Sequence, residues 1–400
     1  MTIDDRRLDP DAPLPGAPDP WAETDMPSAR DGPPWHMTEM IEAEPALAER
    51  ILQRLAKDGS AARLADAIRG QEGADGSIAV VGCGTSEHGA MAVATILGEA
   101  DSRVDTTSMQ AFEASLGHAL QGIGLVIAVS HEGATWATMR ALEAARAGGG
   151  TTALITASRR APAAELADLV IETGELDQSW CHTVGYLSPI VAAIAVAGAL
   201  GQAPDGDQMR GTLAGALAAD AVAATETIVG ALAGFERIIV VGGGVDRITA
   251  RELVLKIEEG THLPAAFRHV ETLLHGHLAG MDERTGLIAI GADDRGGVDR
   301  ARRIAQGLRA VRALGIPSGG LLTPTYAQAI PAELTPAGRV VISAPGTGIG
   351  VAGARALLAT AIPLQLLTER IARVRGVNPD PIRRDDPRYL AAAAAASPEA

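Results

Sequence analysis

The densest chemistry in this chain lies between Lys256 and Gly280, in the run KIEEGTHLPAAFRHVETLLHGHLAG. Carboxylates, histidines and a lysine stand close together there. A general base and a general acid are both at hand, and histidine changes charge near neutral pH. Lysine is nearly absent elsewhere: Lys57 and Lys256 are the only two in the 400 residues, so a lysine-dependent step has two candidates. Neither CxxC nor HExxH spacing occurs, so no metal site is expected. Cys83 and Cys181 are too few and too far apart for a disulfide framework, and small core residues are their simplest reading. On spacing alone the histidines of the run are surface or structural groups.

Two glycine- and hydroxyl-bearing turns add candidates. Gly82-Cys83-Gly84-Thr85-Ser86 follows a short apolar strand and lacks the glycine spacing of a dinucleotide fingerprint. Ser86 is expected at a helix N-cap, where its hydroxyl either satisfies a free N–H or reaches a ligand. Ser130-His131-Glu132-Gly133-Ala134-Thr135 follows a second strand, with hydroxyls at both ends of a turn that enters a helix. Such a turn is either a cradle for phosphate or a sugar oxygen, or ordinary turn and cap chemistry. Two of them at strand ends of one sheet favour a ligand site over either alone.

The elements that must position these groups are duplicated. Ser77–Glu99 and Glu236–Glu259 each read as a β-branched strand, a glycine-rich turn and an amphipathic helix. The repeat, about 160 residues apart, predicts an α/β fold of two similar domains, each a doubly wound parallel sheet flanked by helices. It also sets two helix N-termini where backbone N–H groups can hold an anion or sugar hydroxyls. Residues 1–34, rich in Pro, Asp and Ala, predict a disordered extension. A helical segment over 35–72 follows, with a hairpin of helices 37–44 and 45–56 that places Pro45 in a first turn. The first domain is expected over 73–205, with strands 78–81, 103–108, 125–129, 151–156 and 168–171, a helix over 110–119 and a long apolar helix at 185–200. A single helix within 206–233 links it to a second domain over 234–388, with strands 237–241, 286–290, 319–322 and 339–342. Residues 389–400 form a fraying tail.

Composition narrows the partners. A formal charge of −15 argues against nucleic acid or anionic membrane. The run Pro189–Leu200 is too short to span a bilayer and Met1–Arg7 is unlike a signal peptide, so a soluble cytoplasmic protein is expected.

The motifs carry a resemblance that covers Trp35 to Arg388. The chain is similar to the double SIS (sugar isomerase) family, in particular to the isomerase half of the glutamine–fructose-6-phosphate transaminases. HMTEMIEAEPALAE resembles that family's M-x-x-E-I-x-E-Q-P opening, GCGTS its first-strand signature, SHEGATWAT its S-x-S-G-E-T loop, and ALLATAIPLQLLTERIA its late P-L-Q-L-L helix. Leu253–Leu278 aligns without a gap. The resemblance implies a sugar contact at Thr85 and Ser86, and phosphate-loop hydroxyls at Ser130 and Thr135 with His131 and Glu132 between them. It implies a third loop at His182 and Thr183, and a catalytic carboxylate at Glu259 that moves a proton between C1 and C2. Lys256 matches a lysine one helical turn earlier, on the same helix face. His275 matches a histidine tied to ring opening, which in this family arrives from a neighbouring subunit, so a homodimer is implied.

Three departures stand out. The family's C-terminal lysine has no counterpart. Glu132 replaces a phosphate-loop serine, where an ionised carboxylate repels phosphate. His182-Thr183 stands where the family has Ser-Thr. No glutaminase domain or cysteine nucleophile precedes the match, so glutamine-dependent amination is not expected. The resemblance therefore implies an isomerase, or a deaminase or deglycase, acting on an amino sugar or sugar phosphate without a cofactor. The alternative is a non-catalytic sugar-phosphate sensor, and the sequence adds neither a helix-turn-helix nor a basic patch for a transcriptional role.

Overall fold

Ten short strands, most of them rich in Val, Ile and Leu, build two separate parallel sheets. In the computed structural model, which describes residues 30–73, 76–343 and 346–396, the first sheet comprises β1 (Ser77–Gly82), β2 (Asp105–Gln110), β3 (Leu125–Val129), β4 (Thr151–Thr156) and β5 (Leu169–Glu172). Their order is β2-β1-β3-β4-β5. The second comprises β6 (Arg237–Val241), β7 (Ala265–Arg268), β8 (Thr285–Gly291), β9 (Ser318–Leu322) and β10 (Gly338–Val341), ordered β10-β9-β8-β6-β7. Every strand pair in both sheets is parallel. Central strands such as β3 and β8 are buried along their whole length, because helices cover both faces.

The order reverses between β1 and β3 in one sheet and between β6 and β8 in the other. Ligands in such sheets bind outside the carboxyl ends of the strands flanking that reversal. Both turns singled out in the first half, after β1 and after β3, lie there.

The two halves share one apolar core. Ile78, Val80 and Ile127 of the first sheet belong to the same buried cluster as Ile238 and Ile288 of the second. Helices Val184–Ala199 and Ala352–Arg375 lie in that cluster; the first is apolar nearly all round, as a helix packed on several sides must be, while the second also buries Thr360, Gln365, Thr368 and Glu369.

Four expectations change. The segment expected as a hairpin is one helix, His36–Asp58, that runs through Pro45. Met40, Ile41, Leu47, Ile51 and Leu55 are fully or almost fully buried along it, and this packing outweighs the one hydrogen bond that proline removes. The single linking helix is two, Gly206–Gly215 and Ala219–Leu232, because Ala216, Leu217 and Ala218 donate to carbonyls three residues back and close a tight turn. Strand β7 was not anticipated at all. The helix expected over 110–119 shortens to Ala111–Ser115, with a turn of 3₁₀ helix at His118–Leu120. The disordered extension expected over 1–34 falls largely on residues outside those described. Among the described residues, no single helix is long and apolar enough to cross a membrane.

Helix Thr85–Ala100 approaches Val184–Ala199 closely at Gly89. A Cβ there would stand 2.9 Å from Pro189 Cγ and 3.3 Å from Val129 Cγ1. Gly89→Val is expected to destabilise the fold by about 1–3 kcal/mol through overpacking. An unchanged urea midpoint for this variant would mean that the two helices can part without loss.

Candidate active site

Helix Asp246–Thr261 carries a stripe of charge at helical spacing: Glu252, Lys256 and Glu259. The Lys256 side chain is wholly shielded from solvent. Its Nζ lies 2.5 Å from Glu259 and 3.6 Å from Glu252. Burial alone would lower the pKa of this ammonium, but the two carboxylates outweigh it and the net shift is upward. Lys256 is therefore a fixed cation at neutral pH. Glu252 is fully buried; burial raises its pKa, but Lys256, His88 and Thr85 overcome that and hold it below the usual range. Glu259 moves the other way, because burial raises its pKa more than Lys256 lowers it. Its side chain keeps 22% of its exposure, so it is the member of the stripe that a ligand can reach.

The first half of the chain completes this cluster. Thr85 Oγ1 donates to Glu252 at 3.2 Å, and His88 Nδ1 lies 2.7 Å from the other carboxylate oxygen. Ser86, expected at the N-cap, is the second helical residue. Gly84 holds the cap position, and no side chain caps this helix.

At the end of β3, Ser130 Oγ accepts from Gly133 N at 3.1 Å and so helps to close the turn. Thr135 is the cap residue of helix Trp136–Ala147 and is exposed, with no capping bond from its side chain. His131 is buried, its Nε2 accepts from Asp177 N at 2.9 Å, and desolvation pushes its pKa down to about 4. It packs against His182 at 5.2 Å between ring centroids. Burial, with the cations around it, keeps His182 neutral too. Glu132 is half-buried, and desolvation raises its pKa against the opposing pull of Arg384.

The segment from Asp177 to Thr183 joins the two clusters. Asp177 accepts from the N–H groups of Thr183 and Gly185 at 2.7 and 2.8 Å, and from the Thr183 hydroxyl at 3.3 Å. Cys181 is buried beside the Lys256 carbonyl at 3.9 Å. Lys256 in turn acts electrostatically on both Asp177 and His182. Trp180 carries the Arg384 guanidinium over its ring at 3.6 Å. The sugar-loop candidates and the Lys256–Glu259 pair thus face one region between the halves. Outside Glu259, a cavity of about 400 Å³ is lined by Glu258, His262, Arg383 and Tyr389. His262 and Arg383, at φ 59° and 63°, adopt left-handed backbone that non-glycine residues rarely take.

Not every candidate converges. The His275 side chain is 74% exposed and paired with Glu271 at 3.3 Å, away from Glu259 of its own chain. The second reversal point is filled from within, against the expectation of two open helix N-termini. Asp293 accepts from Val245 N at 3.2 Å, and Arg300 pairs with it at 2.9 Å. A Cβ on Gly244 would stand 2.6 Å from both side chains. Among the described residues, no group of three or more His, Cys, Asp or Glu side chains is placed to hold a metal ion.

Sequence reasoning missed Glu252, His88, Asp177, Trp180 and Arg384. Glu252 was findable, since carboxylate, lysine and carboxylate at i, i+4 and i+7 share a helix face. The others come together only through tertiary packing.

Residues 74–203 match the family described as the SIS domain. That match takes in the whole of the first sheet. The chain is 26% identical over 341 residues to the glutamine–fructose-6-phosphate aminotransferase (isomerizing) of Zymomonas mobilis, a match covering 78% of this chain and 51% of that protein. The chain thus spans about half the length of this relative. The C-terminal domain of glucosamine-fructose-6-phosphate aminotransferase from Francisella tularensis superposes with a TM-score of 0.72 at 19% identity, over 88% of this chain and 99% of that one. Tagatose-6-phosphate ketose/aldose isomerase from Escherichia coli gives 0.70 at 17% identity, over 89% and 97%. Glucosamine-6-phosphate deaminase from Thermotoga maritima gives 0.63 at 14% identity, over 86% and 97%. The chain therefore shares the two-sheet α/β fold of these three structures.

Desolvation raises Asp177 to about 7, against the hydrogen bonds it accepts. A carboxyl raised in the folded state adds stability that is complete below the usual carboxylate range and is lost as pH rises to about 7. Asp177→Asn can accept the same backbone bonds without charging. The fall in denaturation midpoint between pH 5 and pH 8 is expected to shrink in this variant; a wild-type pH slope would count against the assignment.

Proposed function

We propose that this protein moves a proton between C1 and C2 of an amino sugar or sugar phosphate, as an aldose–ketose isomerase or as a deaminase or deglycase. The observation that carries this is the solvent-reachable Glu259 held by a fully shielded Lys256. A carboxylate with a raised pKa is a suitable base for a proton beside a carbonyl or imine. The proton passes from carbon to Glu259, and the electron pair moves onto the carbonyl oxygen or imine nitrogen. Lys256 supplies the fixed positive charge beside the developing enediolate or enolamine. Glu259 then returns the proton to the neighbouring carbon; in a deaminase or deglycase the imine so formed takes up water at its carbon and releases the nitrogen as an amine or ammonia. Thr85, Ser86, Ser130, His131, Thr135, His182 and Thr183 are assigned to sugar binding. His275, exposed on its own subunit, is assigned to the site of a second copy in a homodimer.

Incubation in deuterated water with fructose-6-phosphate, glucosamine-6-phosphate and their unphosphorylated forms, followed by NMR, tests this. Deuterium is expected at C1 or C2 of one of them, and Glu259→Gln is expected to slow its entry by about 10²–10⁴-fold while binding stays close to wild type. Full exchange in that variant would remove Glu259 from the role. Tight binding without exchange in the wild type would indicate a ligand sensor instead.

Glu132 bears on the choice of sugar. Burial raises its pKa while the nearby Arg384 opposes the shift, and the resemblance aligns it with a serine of the phosphate loop. We assign it to an ammonium or hydroxyl of the ligand, which disfavours phosphate. Glu132→Ser is expected to raise the affinity for a sugar 6-phosphate over the free sugar by about tenfold or more, since like charges at low dielectric repel by several kcal/mol. An unchanged affinity ratio, measured calorimetrically, would mean that Glu132 stands clear of the ligand.

A further inference from the structure

The charged stripe on helix Asp246–Thr261 ends at a contact from the other half of the chain. Glu252 has two oxygens with separate partners. Oε2 lies 2.7 Å from His88 Nδ1, and Oε1 accepts from Thr85 at 3.2 Å while standing 3.6 Å from Lys256 Nζ. Because the carboxylate is acceptor-only, Nδ1 of His88 carries the hydrogen. Lys256 is thus held between two carboxylates, nearer to Glu259 at 2.5 Å. The first is fixed by His88 and Thr85, the second faces the ligand.

We propose that His88 is a positioning residue that acts across the two halves: by locking Glu252, it sets where Lys256 stands between Glu252 and Glu259. This rests on the proton-transfer reading above for its consequence, though not for the geometry. Before reaction, the ammonium neutralises Glu259. When Glu259 takes a proton from carbon it loses its charge, and Lys256 is released toward the ligand oxygen that has gained the electron pair. Glu252 remains as its counter-charge, so no buried cation is left unpaired. If Glu252 were free to rotate, the ammonium would lose that second anchor and its distance to Glu259 would no longer be fixed. The other groups around Lys256 are Cys181, His182 and Asp177, all from the segment that joins the two clusters. None of them is hydrogen-bonded to Glu252 in this structure.

The composition offers a direct probe. With only Lys57 and Lys256 in the chain, selective ¹³C,¹⁵N-lysine labelling gives two side-chain signals. Lys57 is exposed and serves as an internal reference. In the wild type, the Lys256 ¹³Cε shift is expected to follow the titration of Glu259, and to remain that of an ammonium at alkaline pH. In His88→Ala the Glu259 inflection is expected to move while Lys57 stays in place, and His88→Gln, which keeps a hydrogen-bond donor, is expected to restore it. The deuterium exchange rate is expected to follow the same order, with kcat down roughly 10- to 100-fold in His88→Ala and KM little changed. A Lys256 titration identical in all three folded proteins would overturn the proposal. Should His88→Ala fail to fold, a His88→Gln spectrum that departs from wild type as far as folded His88→Leu does would overturn it equally. If the Lys256 signal moves as expected but no substrate exchanges in the wild type, the positioning role stands and the proton-transfer reading fails.

Discussion

A fully shielded ammonium sets the terms for the rest of this structure. An ion the size of the Lys256 head group loses several kcal/mol of hydration on burial, which only close counter-charges offset. Glu259 and Glu252 supply them from the same helix, one turn on either side. Glu252 is itself fully buried and needs its own partners, and these come from helix Thr85–Ala100 in the other half of the chain. The requirement to pair one lysine therefore reaches across both sheets. It fixes the second half's helix against the first half's helix and leaves Glu259 as the member of the Glu252–Lys256–Glu259 stripe that keeps solvent exposure.

Duplication provided the frame, and the two copies have diverged in what fills their reversal points. In the first, the turns after β1 and β3 retain small and hydroxyl-bearing residues, with a neutral histidine pair behind them. In the second, Asp293 takes the helix N–H that an anion would occupy, and Arg300 neutralises Asp293. The second helix then serves a different end. It contributes through its carboxyl-terminal half, where Glu252, Lys256 and Glu259 lie, and not through its N-terminus. One fold used twice thus gives an open reversal point in the first half and a charged helix face in the second, joined through Glu252, His88 and Thr85.

Much of this frame was legible because strands buried on both faces announce themselves as short apolar runs. Strands such as β3, β4 and β6 have the expected limits, and others shift by one or two residues. Strand β7 was hidden because its four residues, Ala265–Arg268, are half-buried at a sheet edge, follow Pro264 and include no β-branched side chain. Pro45 misled because a local rule about helix starts competed with the burial of a whole helix face, and burial won. Within the site, Lys256 and Glu259 are sequence neighbours at helical spacing, so their contact was readable. The partners from distant segments were not. Asp177 meets His131 across 46 residues and His88 meets Glu252 across 164, and only the closed fold brings them together.

The same logic explains the chain's C-terminal segment. Asp380 accepts from the N–H groups of His36 and Met37, both at 2.9 Å, and so caps a helix more than 340 residues earlier. Its carbonyl accepts from Trp180 N at 2.9 Å. One residue thereby ties together the start of the helical segment, the loop that carries Cys181 and His182, and the final stretch of the chain. Just beyond it come Arg383, at the mouth of the Glu259 cavity, and Arg384, stacked on Trp180. Glu132, Asp177, Glu252 and Glu259 leave the region rich in carboxyl groups, and its two central histidines are neutral. Arg383 and Arg384 bring positive charge beside them from this segment, and the Asp380 contacts hold that segment against the rest of the fold.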